Sequence, residues 1–413
     1  MKSKIIFLLI VMLCLNGLNN SRELNDLAIV SAMGIDLDEN GNYIITSQIL
    51  NTKKENSSGS GSASSSGSSE IVVYNSTYSS IQTALRNTIN ESPRRLYLAH
   101  MELLLISEKV AKEKEILDTL NFFIRDNEGS TDFMLVITKD TTPQEVLQVT
   151  TPLESNPAQD IRDSILATHR YRGFSTDNLL NDSLTMFKGK NSIGVVTCIE
   201  LASNKSSNQK NPENSSQQES ALLSQTETSK EEGNNENKII RISDLGYFKD
   251  QKLNGYLNQD ESYLYNIITD NSIGGIIEFN KDDDLIVMEE IKGESKLVPT
   301  VINDNYYIDI KINMTCNITE TGKNIEFNSN SDIENYEKQA EEYLKNEIEK
   351  FIEKSKTEYN CDLFGLGNVF YKYKNKDYKN LKSKYGDDYF KYINTNVSVN
   401  VSLPSEGGIE NAW

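Results

Sequence analysis

The sequence predicts an α+β (mixed α/β) fold, multi-domain, with mixed or antiparallel sheets and helices packed on them. Three observations carry this expectation. Between residues 81 and 201, apolar residues at helical spacing alternate with short apolar runs of strand length. After residue 238 the chain turns strand-rich. It then closes on TNVSVNVSL (395–403), where Val397, Val399, Val401 and Leu403 alternate strictly with polar residues, the pattern of a strand with one buried face.

In chain order, Lys2 and Lys4 precede an apolar stretch from Ile5 to Leu15. That pairing is of signal-peptide length and too short for an untilted span of about 20 residues. Residues 1–20 are therefore expected to be a signal peptide or an N-terminal anchor. A small-residue cleavage pattern is missing, so both forms stay open. NYIITSQIL (42–50) and EIVVYNS (70–76) read as strands flanking a Gly/Ser-rich insert at 51–69, an elongated hairpin. Ile81, Ala84, Leu85, Thr88 and Ile89 mark a helix, MELLLIS (101–107) a buried strand, Ile116 to Ile124 a second helical stripe, and DFMLVIT (132–138) another strand. TTPQEVLQV (141–149) carries its own start signal: Thr142 as cap, Pro143 in the first turn and Glu145 to complete a capping box. Helices follow near 158–170 and 177–187, then a strand at 192–201.

Residues 203–237 are almost devoid of apolar side chains and are read as a low-complexity linker. Two domains are expected on either side: an N-terminal α/β domain over 21–202 and a C-terminal α/β domain over 238–403, followed by a tail at 404–413. Division of the second into two subdomains near 296 is left open. KIIRISDLGYFKDQKLNGYLN (238–258) gives two strands around a polar turn. GGIIEF, LIVMEEI and NYYIDIKINMTCNI continue the series. Ile333, Tyr336, Ala340, Tyr343, Leu344, Glu347, Phe351 and Ile352 fall mainly on one face of a long charged helix, as expected of a helix lying over a sheet.

Composition removes function classes. A net charge of −19 argues against nucleic acid, which demands an excess of Lys and Arg to release counterions, and disfavours long-range attraction to anionic lipid. His100 and His169 are the only histidines, so a histidine metal cluster is ruled out, and both are read as packed or hydrogen-bonded residues. GxSxG, Walker and dinucleotide fingerprints are absent from the sequence. The acidic run DDDLIVMEE (282–290) has little specificity among 61 acidic residues and is read as a solvated loop. Cys198, Cys316 and Cys361 lack metal spacing and are expected to be buried, with one disulfide left open. No catalytic residue, metal or cofactor is expected. YKYKNKDYKNLKSKYGDDYFKY (371–392) interleaves lysines with aromatics; it suits lipid headgroups or an acidic partner, or more simply a segment whose tyrosines pack while its lysines stay hydrated.

Five stretches in order resemble the Ger(x)C (GerAC-like) spore germination proteins, the C-subunit lipoproteins of nutrient germinant receptors. SRELNDLAIVSAMGID (21–36), with Arg22, Glu23, Leu24, Gly34 and Asp36, is similar to that family's opening signature. RRLYLAHMELLLISEKVA (94–111) holds Tyr97 and His100, and FFIRDN (122–127) follows. DLGYFKDQKLNGYLNQDES (244–262) holds Phe248 and Gly255, and DLFGLGNVFYKY (362–373) holds Asp362, Phe364, Gly365 and Gly367. These matched residues look structural, with the glycines serving turns or close packing and His100 assigned to packing.

The resemblance implies a non-catalytic subunit needed for nutrient-triggered germination, exported and membrane-associated at the outer face of the spore inner membrane. It also implies membrane-embedded A and B receptor subunits as partners. Germinant contact is not implied either way. From another class, an exported ligand-binding or adhesive surface protein is the competing reading. One departure matters: the family's Gly-Cys-Trp lipobox falls on Gly17, Leu18 and Asn19, and leucine cannot carry a thioether-linked lipid. Cys14 is the remaining candidate lipidation position, though Leu13 before it is bulkier than lipobox processing prefers.

Overall fold

β1 (Leu27–Leu37) is buried along nearly its whole length, with Val30, Ala32, Met33 and Ile35 inaccessible to solvent. A strand apolar on both sides must lie inside a sheet covered on both faces. The structure, a computed structural model, describes residues 26–50, 71–126, 129–149, 151, 156–189, 193–203, 238–281, 284–322 and 330–404. Beside β1 run β5 (Leu103–Ser107), β6 (Met134–Thr138) and β7 (Gly194–Ser203), all parallel to it. The flanks are antiparallel: β2 (Tyr43–Leu50) and β3 (Ile71–Tyr78) on one side, β8 (Lys238–Lys249) and β9 (Lys252–Leu257) on the other. A short β4 (Arg95–Tyr97) pairs with the start of β1.

On one face α1 (Ile81–Asn87), α2 (Glu108–Glu113), α3 (Ile116–Arg125) and α6 (Leu180–Lys188) bury their apolar stripes. On the other lie α4 (Pro143–Leu147), α5 (Pro157–Tyr171) and α7 (Gln259–Ile268). α4 starts on the expected capping box, with Glu145 N–H on Thr142 Oγ1 at 3.1 Å and Thr142 N–H on Glu145 Oε2 at 3.1 Å.

The second sheet has the order β10 (Gly275–Lys281), β11 (Asp284–Ile302), β12 (Asn305–Thr321), β13 (Ile393–Ser402). β13 runs parallel to β12, because the chain crosses over through α8 (Asn330–Thr357), α9 (Leu366–Tyr373), α10 (Asn375–Tyr385) and a 3-10 turn (Gly386–Tyr392). Along β12 every second residue from Tyr306 to Ile318 is buried. α8 covers that face with Tyr336, Ala340, Leu344, Ile348, Phe351 and Ile352. Tyr343 and Glu347, expected on this apolar face, stand at its rim: Tyr343 is partly exposed and stacks on Phe279 of β10, while Ile348 is fully buried against the sheet.

Two expected boundaries fall within strand ladders. Ser203 and Lys238 are opposed across β7 and β8, so the low-complexity run joins neighbouring strands of one sheet, which continues to β9. The open division near 296 falls inside β11, whose ladder to β12 extends from Ile286 to Ile302. One apolar core reaches from Ala32, Leu103 and Val136 under the first sheet to Ile310 and Val401 under the second.

Candidate functional site

The two sheets meet at α7. From it, Asn266 donates to the carbonyls of Gly173 (2.6 Å) and Ser175 (2.8 Å) on the first side. Toward the second, Ser295 Oγ of β11 donates to the Ile268 carbonyl (3.0 Å), and the Ser295 N–H to Asp270 (2.7 Å). Between these ties Tyr263 donates to Glu290 Oε2 at 2.6 Å and Ser272 to the same oxygen at 2.7 Å. Glu290 is only 3% exposed, and among the described residues its Oε1 has no hydrogen-bond partner. Burial pushes this carboxyl above its ordinary range, while the Tyr263 and Ser272 hydroxyls and nearby His169 pull the other way. His169, buried on α5, places Nε2 2.8 Å from the Asn271 carbonyl.

On its other flank α7 is held by Glu261. This residue closes a capping box with Asn258 and receives Lys354 Nζ at 2.5 Å and the Tyr359 hydroxyl at 2.8 Å on both oxygens. The Lys354 ammonium is held above its usual range, first by that bond to Glu261. A cleft of about 300 Å³ opens beside this tie, lined by apolar Phe174, Leu264 and Ile277 and by acidic Asp260, Glu278 and Glu347. Burial first, and then the charges of Glu347, Asp260 and Glu278, push the Tyr343 hydroxyl above its ordinary pKa. The arrangement offers shape and charge for holding a partner. Among the described residues no group of three or more His, Cys, Asp or Glu is placed to hold a metal ion.

The residues singled out from sequence are placed as follows. Asp362 is buried at the start of α9 and accepts from Leu366 N–H (2.7 Å), Gly367 N–H (2.8 Å) and the Tyr389 hydroxyl (3.0 Å). Gly365 caps the helix at φ +64°. A Cβ on Gly367 would sit 2.2 Å from the Tyr389 oxygen, so only glycine lets this ring close over the helix start. Phe364 packs on Phe351 and Tyr265. Gly34 lies where a Cβ would meet Pro143 of α4, and Gly255 where it would meet the Tyr247 ring. Phe248 is fully buried against Phe187. Asp36 accepts from the Leu37 N–H at 2.8 Å.

His100 corrects the packing expectation: it is exposed in the turn before β5, and its ring meets only the edge of half-buried Tyr97 at 5.8 Å. Glu290 corrects another, since DDDLIVMEE ends in a buried strand in place of a solvated loop. The alternation Ile286, Met288, Glu290 carried that signal. Cys198, Cys316 and Cys361 are unpaired and buried, and burial pushes the Cys316 and Cys361 thiols up to about 12. Cys14, Arg22, Glu23 and Leu24 lie outside the described residues.

In the Lys/Tyr stretch, Tyr378 and Tyr389 pack inward, Lys382 and Lys391 pair with Asp387 and Asp388, and Tyr385 stacks on Tyr392 at 3.8 Å. Lys372, Lys376, Lys379 and Lys384 stay exposed, as do Tyr371, Tyr373 and Tyr392.

Residues 20–201 match the family described as spore germination protein N-terminal domain, and residues 243–407 the one described as spore germination B3/GerAC like, C-terminal. The chain belongs to the GerAC-like spore germination family. Within it, spore germination protein KC of Bacillus subtilis (strain 168) is 24% identical over 97% of this chain and 95% of its own length. The crystal structure of the GerBC protein, at 15% identity, superposes with a TM-score of 0.54 over 90% of this chain and 97% of that one. The two GerAC-like segments leave residues 202–242 between them, whereas the first sheet continues to Leu257.

Proposed function

We propose that this GerAC-like protein is the non-catalytic C subunit of a nutrient germinant receptor, working by assembly with membrane-embedded A and B subunits at the outer face of the spore inner membrane. The observation that carries this reading is the match of both GerAC segments, in order, to a chain whose two sheets share one core. The buried polar ties across α7 support it as well, because they hold two surfaces in fixed relation, as a subunit wedged between partners requires. The histidines support the non-catalytic part: His169 is committed to a backbone carbonyl, and His100 has only a ring edge for company. Among the described residues no helix is long and apolar enough to cross a membrane.

The test is genetic and biochemical. Deleting the gene should abolish the spores' response to the nutrient, and the tagged protein should co-purify with multi-spanning and transporter-like membrane proteins. An unchanged response together with no co-purification would end this reading.

A further inference from the structure

The parallel strands β1, β5, β6 and β7 all begin at one end of the first sheet. Ile193, immediately before β7, lines a hollow with Lys382, Asp387, Asp388 and Phe390. At the same corner the Lys249 ammonium donates to the Asn360 carbonyl at 2.8 Å. The end from which β1 emerges is therefore the end against which the Lys/Tyr segment is packed. The turn between β11 and β12 belongs there too: Asp304 and Tyr306 lie within electrostatic reach of Lys384.

Over 371–392 the sequence holds seven lysines against three aspartates, a net +4 within a chain of −19. Asp387 and Asp388 are spent on Lys382 and Lys391. Asp377, on α10, and Asp304 also face this patch, and Asp250 lines the hollow beside Lys382. Beside the exposed lysines stand Tyr373 (63% exposed), Tyr392 (51%) and Ile302 (54%). Exposed tyrosines with hydrated ammonium groups on long apolar stems match the boundary layer of a bilayer, where one end of each side chain is wet and the other is not.

We infer that this end of the molecule is a docking surface for an anionic lipid bilayer, with Lys372, Lys376, Lys379 and Lys384 contacting headgroups and Tyr373, Tyr392 and Ile302 entering the interface. The inference rests on the membrane-associated reading above. The apolar run Ile5–Leu15 precedes β1 in the chain, and β1 begins at this end of the sheet. The unfavourable net charge acts over a long range, whereas the patch acts within a Debye length of about 8 Å.

The test follows amide hydrogen exchange by mass spectrometry in the full-length protein, mixed with vesicles of pure phosphatidylcholine or of phosphatidylcholine with one-third phosphatidylglycerol. On the anionic vesicles exchange over 366–392 should slow by about fivefold or more, since each lysine at such a surface favours binding by about that factor. The K372E/K376E/K379E/K384E variant should lose this protection while β5 and β6 exchange as in the wild type. Y373S/Y392S should weaken it at unchanged charge. Equal slowing on neutral vesicles would overturn the inference. So would protection that appears only when receptor subunits are added, which would mean an acidic protein partner. Loss of the receptor reading through an unchanged nutrient response is scored separately, in spores.

Discussion

The Tyr263 hydroxyl lies 2.6 Å from Glu290 Oε2, joining the helix between the two sheets to a strand of the second. Tyr263→Phe leaves a buried carboxylate with Ser272 as its one remaining donor among the described residues, and should cost about 1.5–3 kcal/mol in urea unfolding at neutral pH. Wild-type stability in this variant would remove the junction from the account.

The same carboxyl gives a pH dependence of defined sign. Its folded pKa is raised above the ordinary 4.5, so the folded state binds the proton more tightly than the unfolded chain does. The burial penalty is absent below the unfolded value and grows as pH rises through the folded one. Glu290→Gln should therefore gain on the wild type as unfolding is measured at rising pH from about 4 upward. A stability difference that stays flat with pH contradicts this.

Gly365 and Gly367 separate two kinds of glycine requirement. Alanine at 367 collides with a ring that Asp362 holds in place, and should cost about 1–3 kcal/mol. Alanine at 365 meets nothing closer than 3.6 Å and loses only the left-handed backbone preference, about 1 kcal/mol. Melting temperatures should rank wild type, Gly365→Ala, Gly367→Ala in falling order; the reverse ranking of the two variants would refute the steric account.

Glu261 serves a capping box, an ammonium and a phenol at once, whereas Lys354 serves Glu261 and lies over the Tyr359 ring. Glu261→Ala should cost about 2 kcal/mol and Lys354→Met about half of that, with non-additive loss in the double variant. Strict additivity would show that the two side chains do not interact.

Because Ser203 and Lys238 face each other, replacing residues 204–237 by Asn-Gly should leave the β7–β8 hairpin intact and raise stability by about 1–2 kcal/mol. A destabilised or insoluble product would mean that the run contributes to the fold.

Much of this fold was legible because hydrophobic period is a local property. The buried runs of β5 and β6, the Thr142 capping box and the alternating β13 each announce themselves within ten residues. Pairing across long separations is not local, which is why the low-complexity run looked like a domain boundary. The ladder continues from Ile199 to Ile242 regardless of how much chain lies between. The junction was hidden for a related reason. Tyr263, Ser272 and Glu290 come together only after α7 is laid against β11, and Glu290 alone resembles any of the other acidic residues. His100 misled because its strand starts three residues later, at Leu103.

The two low-complexity inserts leave the first sheet in opposite directions. Leu50 and Ile71 border the end at which β1 starts, while Ser203 and Lys238 border the end where β7 finishes. A protein tethered at its β1 end thus has a near rim and a far rim. Length added between Ser203 and Lys238 is added at the far rim, at the mere cost of closing a longer loop. Length added between Leu50 and Ile71 is added at the near rim, on the tethered side, so the two inserts should differ in how much lengthening they tolerate.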